Sequence, residues 1–477
     1  MSFFKWSFSF VEKGFKRMMN KRLLLFEKIC DSFCYDEDDY YDYYDYYDYY
    51  DYYDYYDYYN YYYNYNYDDI YQKNSPYFSN YQNKSKKDNH KINYNDEKKK
   101  IEREMIENDN KYFDNNYKNL IAPEKKHLRG LVNIASTCYM NSVLQFFCNI
   151  KELAVYFHSK KIEQLVKDSK YNNQKFFPSF QEVIKQLWDP IDNSPYSPYD
   201  FKNRLGNMNP LFKGAIPNDA KDFLTFILLQ LHEELNKPPR NNDINININA
   251  NIQHDKKLMF QNFAKFFMNN YRSIISDLFF GIFYTVTQCN KGHIFYNYQT
   301  FNFIIFPLEK VLQYKIASNN FNNFNNTITI EDCFKYYEFP TFLNDYYCNI
   351  CRNQGNCKYT SKLSVLPNIL IIILNRGKGL EFNVKLSFEN ENLGLAKYAE
   401  YCNDESIYEL IGMVTHYGES SANGHFVARC KSPIDDEWYL YNDQIIQKIG
   451  YFNNEIFAQG NPYILFYKKI IFNNNNK

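Results

Sequence analysis

No apolar run in this 477-residue chain approaches the roughly 20 residues needed to span a bilayer, so a transmembrane segment is not expected. The opening stretch Met1-Ser-Phe-Phe-Lys-Trp-Ser-Phe-Ser-Phe10 is apolar, but Lys5, Glu12, Lys13 and Lys16 interrupt it. No small-residue cleavage site follows, which argues against a secretory leader. An even cysteine set is also lacking. Eleven cysteines are spread along the chain, which speaks against a disulfide framework and for reduced thiols in a cytoplasmic or nuclear compartment. Basic residues do not gather into an aromatic-interleaved stripe, so nucleic acid is not an expected partner.

Lysine and arginine are absent from residues 35–69, a tract of Asp-Tyr-Tyr triplets that decays into Asn and Tyr and carries twelve acidic residues. It supplies much of the 20% aromatic content, and it makes the formal net charge of −1 a poor guide to the remainder, which is basic. Residues 1–127 read as a largely disordered, non-catalytic region with a short helical patch near Lys98–Glu107. The run Asn241–Asn251 alternates Asn and Ile like a strand, but its monotony marks a low-complexity insertion near 238–257. An Asn-rich tail occupies 471–477.

Between 128 and 470 the pattern changes to that of a folded domain. Tyr139, Val143, Leu144, Phe147 and Ile150 recur near helical spacing after Cys138, and Asp219–Leu235 reads as a second amphipathic helix. From about Ser276 the signals are mostly β: 279–287, 369–374, 408–414, 425–430, 438–441 and 463–467. Helices first and strands later indicate an α+β architecture whose two lobes leave a cleft between them.

Cys138 stands where the chain enters a helix, and unpaired N–H groups with the positive end of the dipole favour a thiolate there. Asn133, five residues upstream, can bring an amide donor to the same place. A cysteine nucleophile needs a base, and the base needs an orienting group. His425 opens a strand after a Gly-containing loop, and Asn442 and Asp443 follow one hairpin later. Either one can accept the imidazole N–H. His416 is the other possible base, but no strand and partner follow it as they follow His425.

The string Gly130-Leu-Val-Asn133-Ile-Ala-Ser-Thr-Cys138-Tyr-Met-Asn141-Ser142-Val-Leu-Gln145 resembles the cysteine box of the ubiquitin-specific proteases. The segment His416-Tyr-Gly418, then Gly424-His425-Phe, then Trp438-Tyr-Leu-Tyr-Asn442-Asp443 resembles that family's histidine box. Pro217–Leu235, Leu366–Arg376 and Pro462–Tyr467 resemble further family segments, so the similarity runs collinearly over about 129–469. The resemblance implies a papain-like fold of thumb, palm and fingers, with Cys138 on the thumb, His425 on the palm and fingers near 280–360. It implies a monomeric deubiquitinating cysteine protease that acts on ubiquitin and ubiquitinated proteins at ubiquitin's C-terminal glycine. Asn442 falls at the third triad position, with Asp443 adjacent, and Asn133 with the Cys138 N–H at the oxyanion. No cofactor is implied for catalysis.

Phe426 and Tyr441 are mild departures from the family pattern. Ala135 stands where the family has Gly, and Ser136 where it has Asn or Ala; if that backbone needs positive φ, Ala costs about 1 kcal/mol or more. A catalytically impaired ubiquitin-binding scaffold, and a protease for another ubiquitin-like modifier, therefore stay open. Cys348-Asn-Ile-Cys351 is half of a structural zinc site. Its partner in family members is another Cys-x2-Cys, but here Cys289-Asn-Lys-Gly292-His293 leaves His293, or else Cys357, to complete a tetrahedron.

Overall fold

The computed structural model describes residues 128–470, except 160–161, 163, 165–175, 189–191, 193, 237–254, 319–326, 378, 381, 402–406, 420–423, 453–456 and 458. The expectations for 1–127 with its 35–69 repeat, for most of the 238–257 insertion and for the 471–477 tail lie outside the described residues. Residues 255–257 do not belong to that insertion: the Asp255 carboxylate caps a helix by accepting from the Leu258 N–H at 3.0 Å.

The first half is helical, with α1 (Cys138–Cys148), α2 (Lys151–Phe157), α3 (Phe177–Leu187), α4 (Tyr199–Met208), α5 (Ala220–Leu235), α6 (Lys256–Asn270) and α7 (Ile274–Phe279). Every residue of α1 is buried, so its polar groups need partners inside the protein. Gln145 donates to the Arg129 carbonyl at 3.1 Å and Ser142 to that of Tyr139 at 3.0 Å. At the far end Trp188 Nε1 donates to the Cys148 carbonyl and Asn149 to that of Gln145, both at 2.8 Å, which satisfies carbonyls the helix leaves open. Helix α5 is capped by Asp219, whose carboxylate accepts from the Lys221 N–H at 2.8 Å. Near its other end, buried Glu234 accepts from the N–H groups of Phe176 and Phe177 and so caps α3.

Strands dominate the second half: β1 (Gly281–Cys289), β2 (Ile294–Phe301), β3 (Ile304–Pro307), β4 (Thr327–Thr329), β5 (Thr341–Cys348), β6 (Asn353–Val365), β7 (Ile369–Asn375), β8 (Lys385–Ser387), β9 (Leu393–Gly394), β10 (Ile407–Tyr417), β11 (His425–Lys431), β12 (Trp438–Asn442), β13 (Ile445–Gly450) and β14 (Asn461–Ile470). Two helices interrupt them, α8 (Leu308–Ser318) and α9 (Ile330–Tyr337). The second is set by a Thr329/Asp332 capping box. The strand expected from Phe279 begins instead at Gly281, because Phe279 closes α7.

Strands β2-β1-β6-β5 form an antiparallel four-stranded sheet. The larger sheet runs β13-β12-β11-β10-β14-β7-β3, with β9 on β10, and only its β3–β7 pair is parallel. Strand β7 shows why this sheet is enclosed on both faces: Ile369, Ile371 and Ile373 join the core shared with the helices, while Leu370, Ile372 and Leu374 join the core under α8 and α9. Helix α1 lies on the first face, where Phe146 stacks on Phe466 with ring centroids 3.5 Å apart. Gly412 makes the room, since a Cβ there would stand 2.4 Å from the Phe146 ring. Among the described residues no helix is long and apolar enough to cross a membrane.

His232 joins α5 to α7, with its Nδ1 2.8 Å from the Oγ of Ser273, the α7 cap. Burial pushes its pKa down to about 4 from the ordinary 6.5. The unfolded chain binds this proton more readily, so the contribution to stability is complete above 6.5 and is lost as pH falls toward 4. Urea unfolding at pH 7 and pH 4.5 should show a smaller stability loss in His232→Gln than in the wild type.

Candidate active site and metal cluster

Thr137 immediately precedes α1, with no capping bond from its side chain, and Cys138 is the helix's first residue, only 8% exposed. The loop before it is closed by its own side chains: Asn133 Oδ1 accepts from the Thr137 N–H at 2.8 Å, and Thr137 Oγ1 accepts from the Ile134 N–H at 2.9 Å. Within this loop Ala135 has φ 52° and Ser136 has φ 60°. Both occupy the left-handed region, which a Cβ disfavours by roughly 1–2 kcal/mol per residue.

The two-residue turn between β12 and β13 docks on the same loop. Leu131 N donates to the Asp443 carbonyl at 2.9 Å, and Gly130 permits the approach, because a Cβ there would lie 2.3 Å from the Gln444 carbonyl oxygen. The Asp443 carboxylate takes one amide on each oxygen: Asn133 Nδ2 donates to Oδ2 at 2.8 Å and Asn141 Nδ2 to Oδ1 at 2.7 Å. Asp443 itself is held at φ 49°. Asn141 is a further site residue, and its signal in the sequence is a polar side chain on a helix whose every residue is buried, a signal that Ser142 and Gln145 share.

His425 opens β11, and its Nε2 lies 2.7 Å from Asn442 Oδ1. Asp443 Oδ2 is 3.9 Å from the same nitrogen, beyond hydrogen-bond reach, so the structure places Asn442 on the imidazole and Asp443 behind it. A hydrogen bond with Cys138 is the largest cause of a His425 pKa raised to about 9, with further support from Asn442, from the charge on Cys138 and from Asp443, and with burial opposing. With Nε2 engaged by Asn442, Nδ1 is the nitrogen left for the sulfur. The arrangement favours a proton on the imidazole, beside a sulfur that stands at the positive end of α1. His416 lies outside this constellation; it is buried, and neither ring nitrogen has a hydrogen-bond partner among the described residues.

At the end of the four-stranded sheet, the β1–β2 turn presents Cys289 and His293, and the β5–β6 turn presents Cys348 and Cys351. Their ligand atoms all lie within 4.8 Å of one another, forming a cluster that can hold a metal ion. His293 Nδ1 is 3.4 Å from Cys289 Sγ and 3.6 Å from Cys348 Sγ, and the Sγ atoms of Cys289 and Cys351 are 4.0 Å apart. Tetrahedral zinc with bonds of about 2.3 Å to sulfur and 2.0–2.1 Å to nitrogen sets such edges at about 3.5–3.8 Å, so the donor set fits. Gly292 has φ 88° and closes the turn that brings His293 back to Cys289. Cys357 pairs with Cys289 across β6 and β1 but is not in the cluster.

Residues 129–467 match the family described as ubiquitin carboxyl-terminal hydrolase. The chain belongs to that family. "Ubiquitin carboxyl-terminal hydrolase 2" of Bos taurus is 26% identical over 350 residues, covering 72% of this chain and 55% of the relative. Its Homo sapiens counterpart is also 26% identical, with the same two coverages. The chain thus spans about half the length of the curated relatives it matches. Among solved structures, the SAGA DUB module Ubp8/Sgf11/Sus1/Sgf73 bound to monoubiquitin superimposes with a TM-score of 0.53 at 19% identity, covering 76% of this chain and 74% of that one. The same module bound to ubiquitin aldehyde gives 0.52. These likenesses carry the fold: a ubiquitin carboxyl-terminal hydrolase domain with its helical lobe, large sheet and four-stranded sheet.

Ala135→Gly in this hydrolase domain should raise the unfolding free energy by about 1 kcal/mol, since glycine adopts the left-handed backbone without a Cβ penalty. A urea midpoint that does not rise, or that falls, would show that the loop carries no such strain.

Proposed function

We propose that this protein is a thiol-dependent deubiquitinase that hydrolyses the bond between ubiquitin's C-terminal glycine and a substrate amine. The observation that carries the reading is the chain of contacts Cys138, His425 and Asn442 at the junction of α1, β11 and β12. Family membership and the collinear match over 129–467 support the same substrate class. Ubiquitinated proteins are the partners in this reading, and ubiquitin lies along the cleft and the four-stranded fingers.

The Cys138 sulfur attacks the carbonyl of the terminal glycine, and a tetrahedral oxyanion forms. The Cys138 N–H, at the start of α1, and the second amide N–H of Asn133 stabilise it; removing one such donor typically costs about 3–4 kcal/mol. Asp443 holds the Asn133 amide, and Asn442 orients the imidazole. The His425 imidazolium protonates the leaving lysine amine, and a thioester on Cys138 remains. Neutral His425 then takes a proton from water, whose oxygen displaces the thiolate and frees the ubiquitin carboxylate.

The metal of the fingers cluster is zinc in this reading. Three sulfurs and one imidazole nitrogen form a borderline-soft tetrahedral set with no open position, which suits a structural ion. It takes no part in the acyl transfer. All eight cysteines among the described residues are unpaired, which supports a reducing cytoplasmic or nuclear setting. A catalytically impaired ubiquitin-binding scaffold is the second reading, favoured by Ala135 and Ser136 standing in left-handed backbone beside the nucleophile.

Cleavage of a ubiquitin C-terminal fluorogenic reporter should vanish in Cys138→Ala and His425→Ala and fall about a hundredfold in Asn442→Ala. In the wild type, activity should decline as pH rises through about 9, where the imidazolium loses the proton it gives to the leaving group. Full activity in either of the first two variants sinks the enzyme reading, and wild-type protein that binds ubiquitin without turnover or adduct formation supports the scaffold. Metal analysis should find one zinc per chain in the wild type and less in His293→Ala, with a lowered melting temperature after chelation; a zinc-free wild type that melts unchanged sinks the zinc assignment.

A further inference from the structure

His416 takes no part in the reaction above, yet burying it is costly. The side chain is 0% exposed and, among the described residues, neither ring nitrogen has a partner. A neutral imidazole carries one N–H donor and one acceptor, and both are orphaned here, a loss that a hydrocarbon side chain of similar size would not incur. Burial keeps its pKa below the ordinary histidine value, with Arg376 and His425 adding to that and Asp219 opposing it, so the ring is uncharged at neutral pH.

The surroundings of the ring give it a use. His416 lies on β10, paired with Phe426 of β11 on one side and Asn461 of β14 on the other. The Phe426 ring packs against it at a centroid distance of 4.8 Å. Against another side lies Gly424, the residue immediately before His425. A Cβ on Gly424 would stand 1.7 Å from His416 Nε2, 2.3 Å from Cε1 and 2.9 Å from Cδ2. Gly424 is not among the glycines with positive φ, so it is there for space and not for conformation. The imidazole edge therefore lies directly on the Gly424 backbone.

We propose that His416 is a positioning residue of the active site, its ring forming the seat on which the Gly424 backbone rests and thereby fixing where His425 stands against Cys138 and Asn442. The proposal rests on the active-site reading above. His425 is the first residue of its strand, and the pairing Tyr417↔His425 is the last rung between β10 and β11. Beyond that rung the His416–Gly424 contact takes over from the ladder. A shift of about 1 Å in Gly424 would carry the imidazole away from the 2.7 Å contact with Asn442. Ring size accounts for the orphaned nitrogens: a five-membered ring fits between Phe426 and Gly424 where a phenyl would push one of them away.

The test reads the Cys138–His425 pair without ubiquitin, through the rate of Cys138 alkylation by iodoacetamide at pH 7, located by mass spectrometry. Gly424→Ala should slow it about tenfold and His416→Phe by a similar factor, whereas His416→Ala alone costs about threefold. The double variant Gly424→Ala/His416→Ala should return to within about threefold of wild type, since removing the ring makes room for the new Cβ. If Gly424→Ala loses its cooperative melt, recovery of both melt and alkylation in the double variant supports the seat equally. Losses that simply add, or a Gly424→Ala rate equal to wild type, overturn it. Wild-type chain that shows this coupling but leaves the ubiquitin reporter intact overturns the proposed function and not the seat.

Discussion

One carboxylate holds the two halves of the site together. Asp443, at the tip of the β12–β13 turn, binds Asn133 of the loop before α1 with one oxygen and Asn141 on α1 itself with the other. The nucleophile belongs to the helical lobe and the base to the sheet, so a bridge between the two is needed beside the packing. Hydrogen bonds to a carboxylate are short and strong, and this clamp ties the loop and helix that carry Cys138 to the turn that follows β12. Because the same turn presents Asn442, the residue that orients the imidazole is placed by the clamp that places the helix.

Strain collects beside the clamp. Ala135, Ser136 and Asp443 all adopt positive φ without being glycine, and all three lie within the two loops that meet there. Such conformations persist only where surrounding contacts over-determine them. Here the Asn133–Thr137 bonds on one side and the Asn133–Asp443–Asn141 bridge on the other supply that determination. The cost is local, while the stability that offsets it comes from the enclosed core beneath, where α1 is buried on all sides and β7 feeds both faces of the sheet.

The chemistry-bearing residues were legible where they sit inside short local patterns. Cys138 at a helix start, His425 at a strand start and Asn442 at a strand end each announce their position by neighbours within a few residues. The α+β order was legible too, because long periodic runs such as Ala220–Leu235 and Ile369–Asn375 declare their type. Helix α8 was not, because only Leu308 and Val311 of its 11 residues are buried and packing decides it more than any strong period does. Helix α9 does carry a local signal, the Thr329/Asp332 capping box ahead of Ile330, Cys333 and Phe334, but it lies in a stretch where strand patterns dominate. Contacts between distant positions were equally hidden: Asn141 meets Asp443 across a separation of 302 residues, and Glu234 caps a helix that starts more than fifty residues earlier. The cluster of Cys289, His293, Cys348 and Cys351 lay between these cases, since each pair is local but their meeting depends on the order β2-β1-β6-β5.

The β12–β13 turn has a consequence for how the chain tolerates changes in length. With only Asp443 and Gln444 between the paired residues Asn442 and Ile445, a single inserted residue would convert the two-residue turn into a longer one and move the Asp443 carboxylate relative to its two amides. The length of this hairpin is therefore tied to the site itself: Asp443 reaches Asn133 and Asn141 only from a turn of two residues, so the spacing between the imidazole's partner Asn442 and the clamp is fixed by the same hairpin.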